Sequence, residues 1–127
     1  MNSALTHARR VDLAKREICR VMDELPPPLR EAASQVAVLL FDRPDPSLID
    51  QGFEPDLLGL FEGETVDASF AEGFNLPPQI ILYLENIWDY AGGKLTDYLE
   101  EVRRTCLHEL GHYLGMDEDD LAERDLD

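Results

Sequence analysis

His108-Glu109-Leu110-Gly111-His112-Tyr113-Leu114-Gly115-Met116-Asp117-Glu118, near the C-terminal end, holds most of the chemistry-bearing spacing in this chain. Residues four apart on an α-helix stand one turn above each other on the same face, so His108 and His112 can present two imidazoles to one metal ion. That is half of a tetrahedral zinc site. Glu109 lies about 100° further round the helix. From there it can reach a water that the metal activates without being a ligand itself, as a general base requires. Gly115 can take the left-handed conformation that ends a helix and turns the chain back, so a third ligand is expected just beyond it. A chance His-Glu-x-x-His in a chain of 127 residues has odds on the order of a few in a thousand. A helix needs neither histidine to fold, and a metal site is the better explanation.

Upstream of the motif, Tyr98, Val102, Cys106, Leu110 and Tyr113 form an apolar stripe at helical spacing, with Thr96 as N-cap and Asp97 in the first turn. The two histidines lie beside that stripe. The helix can therefore pack one flank on a sheet and turn the other into a cleft. Three apolar runs supply strands. Val36 to Phe41 is continuous and β-branched enough to be a buried strand, expected at the centre of the sheet. Leu57 to Glu62 is a second, interrupted by Gly59, where a bulge or a close backbone approach is expected. Gln79 to Leu84 is a third. Asp45-Pro46-Ser47 and Gln51-Gly52 punctuate a loop, and Thr65 to Asn75 shows neither period and reads as a long, functional loop.

Glu85 to Tyr90 leads off the third strand toward Gly92-Gly93, and Trp88 and Tyr90 read as core aromatics, with the lining of a pocket as the alternative. At the other end, Val11, Ala14, Ile18, Val21, Met22 and Leu25 predict an amphipathic helix over about residues 8–25, stopped by Pro26-Pro27-Pro28. A short second helix follows through Ser34, with Pro28 at its first position. His7, ahead of the first helix, reads as solvated and receives no role. Residues 117–126 read as a short, acid-capped terminal helix.

The length suits one domain over residues 1–127. Twenty-seven acidic against 11 basic residues give a net charge of −16, which repels phosphate backbones and anionic lipid headgroups. Nucleic acid and membranes are therefore excluded as expected partners. No continuous apolar segment long enough to span a bilayer is present, and a cytoplasmic location is expected. Cys19 and Cys106 lack a ligand spacing, and each reads as a small buried residue.

The sequence resembles a small bacterial zincin-like metallopeptidase family with a minimal zincin fold. The likeness rests on Phe41-Asp42-Arg43-Pro44, Leu58-Gly59-Leu60-Phe61-Glu62-Gly63, Pro78-Gln79-Ile80-Ile81-Leu82-Tyr83 and His108 to Gly115, in that order. It implies an α+β fold: a small mixed sheet of three or four strands packed on an N-terminal helix and an active-site helix. It also implies a zinc-dependent peptidase. The motif is further similar to the metzincin pattern HExxHxxGxxH, with Glu118 where that pattern has its last histidine. A carboxylate can ligate zinc, which makes the expected metal set His108, His112 and Glu118, with Asp117, Asp119 or Asp120 as alternatives for the third. No methionine follows Glu118, so the metzincin Met-turn is missing.

The expected reaction is hydrolysis of a peptide or protein substrate, with Glu109 taking the water's proton and returning it to the leaving amine. Leu57 to Glu62 is the expected edge strand for an extended substrate. Tyr83, Tyr90 and Tyr113 are candidate oxyanion donors that spacing alone does not separate. A different class of function is a metal-binding, catalytically weak or inactive module that acts as a regulator or adaptor.

Overall fold

The structure is a computed structural model and describes residues 6–63 and 77–115. The long loop expected over Thr65 to Asn75, the terminal helix expected over 117–126, and the candidate ligands Glu118, Asp117, Asp119 and Asp120 lie outside the described residues.

Helix α1 spans His7–Glu24, and its first turn is closed by Thr6, whose side chain accepts a hydrogen bond from the Arg9 backbone N–H at 3.1 Å. Ala14, Ile18 and Val21 are buried, so the helical spacing of apolar residues marks the face turned inward. Helix α2, Pro27–Ala33, begins one residue earlier than expected, with a proline where a missing N–H costs nothing. Strand β1 is Ala37–Phe41, and a short helix α3 follows over Pro46–Asp50, where a loop was expected. Asp45 stands at its N-cap position and Pro46 opens it. Strands β2, Gly59–Glu62, and β3, Gln79–Tyr83, complete the sheet. Helix α4, Leu84–Tyr90, leads straight off β3, and helix α5, Leu95–Tyr113, carries the His-Glu-x-x-His motif.

The three strands stand in the order β1-β3-β2, with β1 parallel and β2 antiparallel to β3. The mixed α+β architecture is thus the one the resemblance implied, with three strands among the described residues. The expectation that the Val36 to Phe41 run would be central is corrected: among the described residues β3 is central and β1 lies at one edge. A continuous apolar run reports how well a strand's faces are covered, and it does not count the neighbours on its flanks. The burial differs accordingly, since Ile80 to Tyr83 are all buried whereas Phe41 is 52% exposed.

One face of the sheet packs on α5, and α5 packs in turn on α1 and α4. The stripe of Tyr98, Val102, Cys106, Leu110 and Tyr113 is buried throughout and joins Ile80, Leu82, Leu84 and Ile87 in one core. Helix α5 starts at Leu95, with Lys94 in the cap position and no side-chain cap, so Thr96 lies within the first turn and is not the cap. The Tyr98 hydroxyl donates to the Arg10 carbonyl at 3.0 Å, and the Arg10 guanidinium lies 4.8 Å over the Trp88 ring and donates to Glu85 at 2.8 Å. These contacts tie α1, α4 and α5 into one layer.

Trp88 packs edge-on to Tyr98 as expected of a core aromatic, but Tyr90 is 66% exposed and is not part of the core. His7, exposed as expected, also makes a hydrogen bond with Asp42 at 2.6 Å. The two cysteines divide: Cys106 is buried and Cys19 is exposed, which corrects the expectation for Cys19. Cys19 falls one step off the Ile18 side of α1's buried stripe, and helical periodicity carries it round to solvent.

Burial pushes the Cys106 thiol up to about 12 from its ordinary 9.0, against a smaller lowering by Arg103. A thiol reagent at mild alkaline pH is therefore expected to label one cysteine per folded chain, Cys19, and both after unfolding in urea. The linkage has a definite sign. From about pH 9 up to about 12 the unfolded chain releases the Cys106 proton while the folded chain keeps it, so stability falls as pH rises through that window. Urea midpoints that stay constant between pH 8 and 11 would contradict this.

Candidate metal centre and cleft

His108 and His112 lie one turn apart on α5, both half-buried, with their Nε2 atoms 3.2 Å apart and their rings nearly perpendicular at 80°. The carboxylate of Glu109 joins them, and one ligand atom from each of the three residues lies within 4.8 Å of the others. Two ligands at a zinc–nitrogen distance of about 2.0–2.1 Å with tetrahedral angles are roughly 3.3 Å apart, so the imidazole spacing fits a shared cation. The same spacing lets one ring nitrogen donate a hydrogen bond to the other, the roles set by the tautomers, and a cation bound by both would take the place of that proton. The donor set is therefore chemically suited to zinc: two borderline nitrogen ligands beside a carboxylate.

Glu109 is buried, 8% exposed, on the side of α5 that meets β2. That meeting depends on Gly59. A Cβ built at this position would stand 2.5 Å from Thr105 Cγ2, 3.2 Å from the Ile81 carbonyl oxygen and 3.4 Å from Glu109 Cγ. The strand register through Gly59 is regular, opposite Leu82, so the glycine marks a close backbone approach and no bulge. Gly59→Ala should cost about 1–3 kcal/mol, as overpacking in a filled interior does. Adding Thr105→Ser, which removes the nearest methyl, should restore part of that loss. Chemical denaturation of the two variants checks the pair.

Asn86 fixes where β2 begins. Its amide nitrogen donates to the carbonyls of Pro55 at 2.8 Å and Leu57 at 2.9 Å, while its amide oxygen accepts from Arg43 at 2.7 Å. A buried amide satisfied on both ends holds the strand's lead-in rigidly. The expected strand over Leu57 to Glu62 is thereby shortened to Gly59–Glu62, with Leu57 and Leu58 engaged before it: the Leu58 carbonyl accepts from the Tyr83 N–H at 2.9 Å. On its other flank β2 pairs with no strand among the described residues. Among the described residues β2 is thus an outer strand of the sheet, alongside the motif helix.

Two hollows flank Glu109. One, of about 480 Å³, is lined by Gly59, Leu60, Phe61, Glu109 and His112. The other, of about 220 Å³, lies on the N-terminal side of His108, between the β2 lead-in and α5. A third hollow, walled by Arg43, Pro55, Asn86, Asp89 and Tyr90, contains none of the motif residues. Its Arg43 is bound to Asn86 and to Asp89 at 3.0 Å.

None of the three candidate oxyanion tyrosines lines either motif hollow. Tyr113 is buried with its ring 5.8 Å from that of Phe61, Tyr83 is buried in β3, and Tyr90 borders the hollow away from the motif. Burial raises the hydroxyl pKa of Tyr113, and that of Tyr83 with smaller contributions from Glu62 and Asp45. Gly115 has φ +85°, the left-handed conformation expected of it, and its N–H donates to the His112 carbonyl at 3.0 Å. The helix therefore ends where the sequence places its end, and Glu118 follows outside the described residues. Sequence reasoning missed Thr105 and Asn86. Thr105 could have been found as the residue one turn before Glu109, but no local signal marks Asn86.

The family model described as zincin-like metallopeptidase matches residues 33–127, from the end of α2 through the motif helix to the last residue. The chain belongs to the zincin-like metallopeptidase family. In this zincin-like chain the matched region contains the three described strands and both hollows beside Glu109, whereas α1 precedes it. A search of the curated proteins found no match. No helix among the described residues is long and apolar enough to cross a membrane.

Proposed function

We propose that this chain is a zinc-dependent peptidase in which His108, His112 and Glu118 hold the metal and Glu109 is the general base. The observation that carries this reading is the pair of imidazole nitrogens 3.2 Å apart beside a buried carboxylate, set against strand β2, whose outer flank pairs with no strand among the described residues. Zinc, when bound, polarises a scissile carbonyl and acidifies the attacking water. Glu109 accepts that water's proton as its oxygen bonds to the carbonyl carbon, and delivers the proton to the departing amine nitrogen as the C–N bond breaks. Burial suits this task, because a carboxylate sheltered from bulk water keeps the proton local. The outer edge of β2 offers main-chain donors and acceptors to an extended peptide. Gly59 lets that edge approach Glu109 more closely than any side chain would permit.

The test is incubation of the zinc-loaded chain with a diverse peptide pool, followed by mass-spectrometric identification of new termini. Cleavage that a chelator stops and added zinc restores is expected. No cleavage by a folded, zinc-containing chain would sink the peptidase reading in favour of a metal-binding regulatory module.

A further inference from the structure

The two hollows beside Glu109 differ in chemistry. The larger, beyond His112, has Leu60 and Phe61 as its apolar walls and no lysine or arginine among the described residues that line it. The smaller is lined by Leu57, Leu58, Gly59, Glu101, Arg104, Thr105, His108 and Glu109, so it contains a permanent cation. Arg104 stands one helical turn before His108 on the face that bears both histidines. Its guanidinium makes an ion pair with Glu101 at 3.6 Å, beyond hydrogen-bond distance. The two partners are buried very differently. The Glu101 side chain is 13% exposed and the Arg104 side chain 56%, so the carboxylate lies beneath and the guanidinium is what an incoming group meets. In a chain of net charge −16, a cation at the mouth of the cleft stands out against an acidic background.

We propose that Arg104 is a specificity-determining residue, binding a carboxylate of the substrate on the His108 side of the scissile bond while an apolar residue sits against Leu60 and Phe61 on the other. This rests on the peptidase reading above and names its substrate class: peptides with an acidic group on one side of the cut and an apolar residue on the other. A guanidinium forks onto a carboxylate through two parallel N–H donors, which fixes position as well as charge. The carboxylate could belong to an acidic side chain or to the peptide's own C-terminus.

The test uses the full zinc-loaded chain and fluorescent peptides in three forms: one with a glutamate, one with glutamine in its place, and one with neither acid but a free rather than amidated C-terminus. Binding is measured by anisotropy in the Glu109→Gln background, where turnover cannot interfere, and cleavage is measured separately as kcat/KM. The wild-type site should favour an acid-bearing form over its neutral counterpart by roughly three- to tenfold, the range for an ion pair on a half-exposed guanidinium. Arg104→Gln should remove that preference and Arg104→Glu should reverse it. Preference for the glutamate form alone assigns the side chain as the carboxylate source, and preference for the free C-terminus alone assigns the chain end. Acid preference that persists in Arg104→Gln, or no preference in the wild type, overturns the proposal. Arg104-dependent binding without cleavage upholds the subsite while the peptidase reading falls.

Discussion

Glu109→Gln is expected to leave zinc bound and the fold unchanged while peptide hydrolysis falls by ~10²–10⁴-fold, the usual worth of a positioned general base. Glutamine keeps the length and shape of the side chain, so its packing in the space that Gly59 leaves open survives. What it loses is the ability to accept a proton from water. The loss should appear in kcat far more than in KM, because the carboxylate acts on the water and the leaving amine and does not grip the peptide. Equal cleavage by wild type and variant would assign the activity to a contaminant. Loss of zinc from the variant would instead mean that Glu109 is itself a ligand, which its distance from the histidines permits.

His108→Ala and His112→Ala should each abolish stable zinc binding. With two imidazoles and one carboxylate as the proposed set, removal of one nitrogen leaves two protein ligands. The affinity should fall by more than the ~10–100-fold typical of losing an outer hydrogen-bond partner. Both histidines are only half-buried on a helix whose core stripe is Tyr98, Val102, Cys106, Leu110 and Tyr113, so the far-ultraviolet circular dichroism should hold. Metal content after dialysis, alongside circular dichroism, is the measurement. A wild-type chain that is folded yet takes up no zinc near neutral pH would end the metal assignment. Unchanged affinity in Glu118→Ala would move the third ligand to Asp117, Asp119 or Asp120.

Much of this protein is legible in sequence because much of it is local. The four-residue spacing of His108 and His112 becomes a shared face as soon as the segment is helical, and side-chain rotamers then bring their nitrogens to 3.2 Å. The apolar stripe of α5, the inward face of α1 and the left-handed Gly115 are likewise set by periodicity or by a single residue's backbone freedom. Where two local choices are nearly equal, sequence reading slipped by a residue or two, as with the start of α5 and the short helix after Asp45.

What only the tertiary structure decided involves residues far apart in the chain. Strand order is one case: β1 and β3 are both apolar, and only their pairing shows which has neighbours on both sides. The start of β2 is another, since it is fixed by Asn86 donating to carbonyls some thirty residues earlier in the chain, at Pro55 and Leu57. The role of Gly59 is a third. Its sequence position allowed a bulge or a close approach, and the choice was made by Thr105 and Glu109 of a helix more than forty residues later. The division of Arg104 and Glu101 into an exposed cation over a half-buried anion likewise needed the β2 lead-in beside them. Spacing along the chain fixes which side chains share a helical face, and burial against a distant element determines what that face meets.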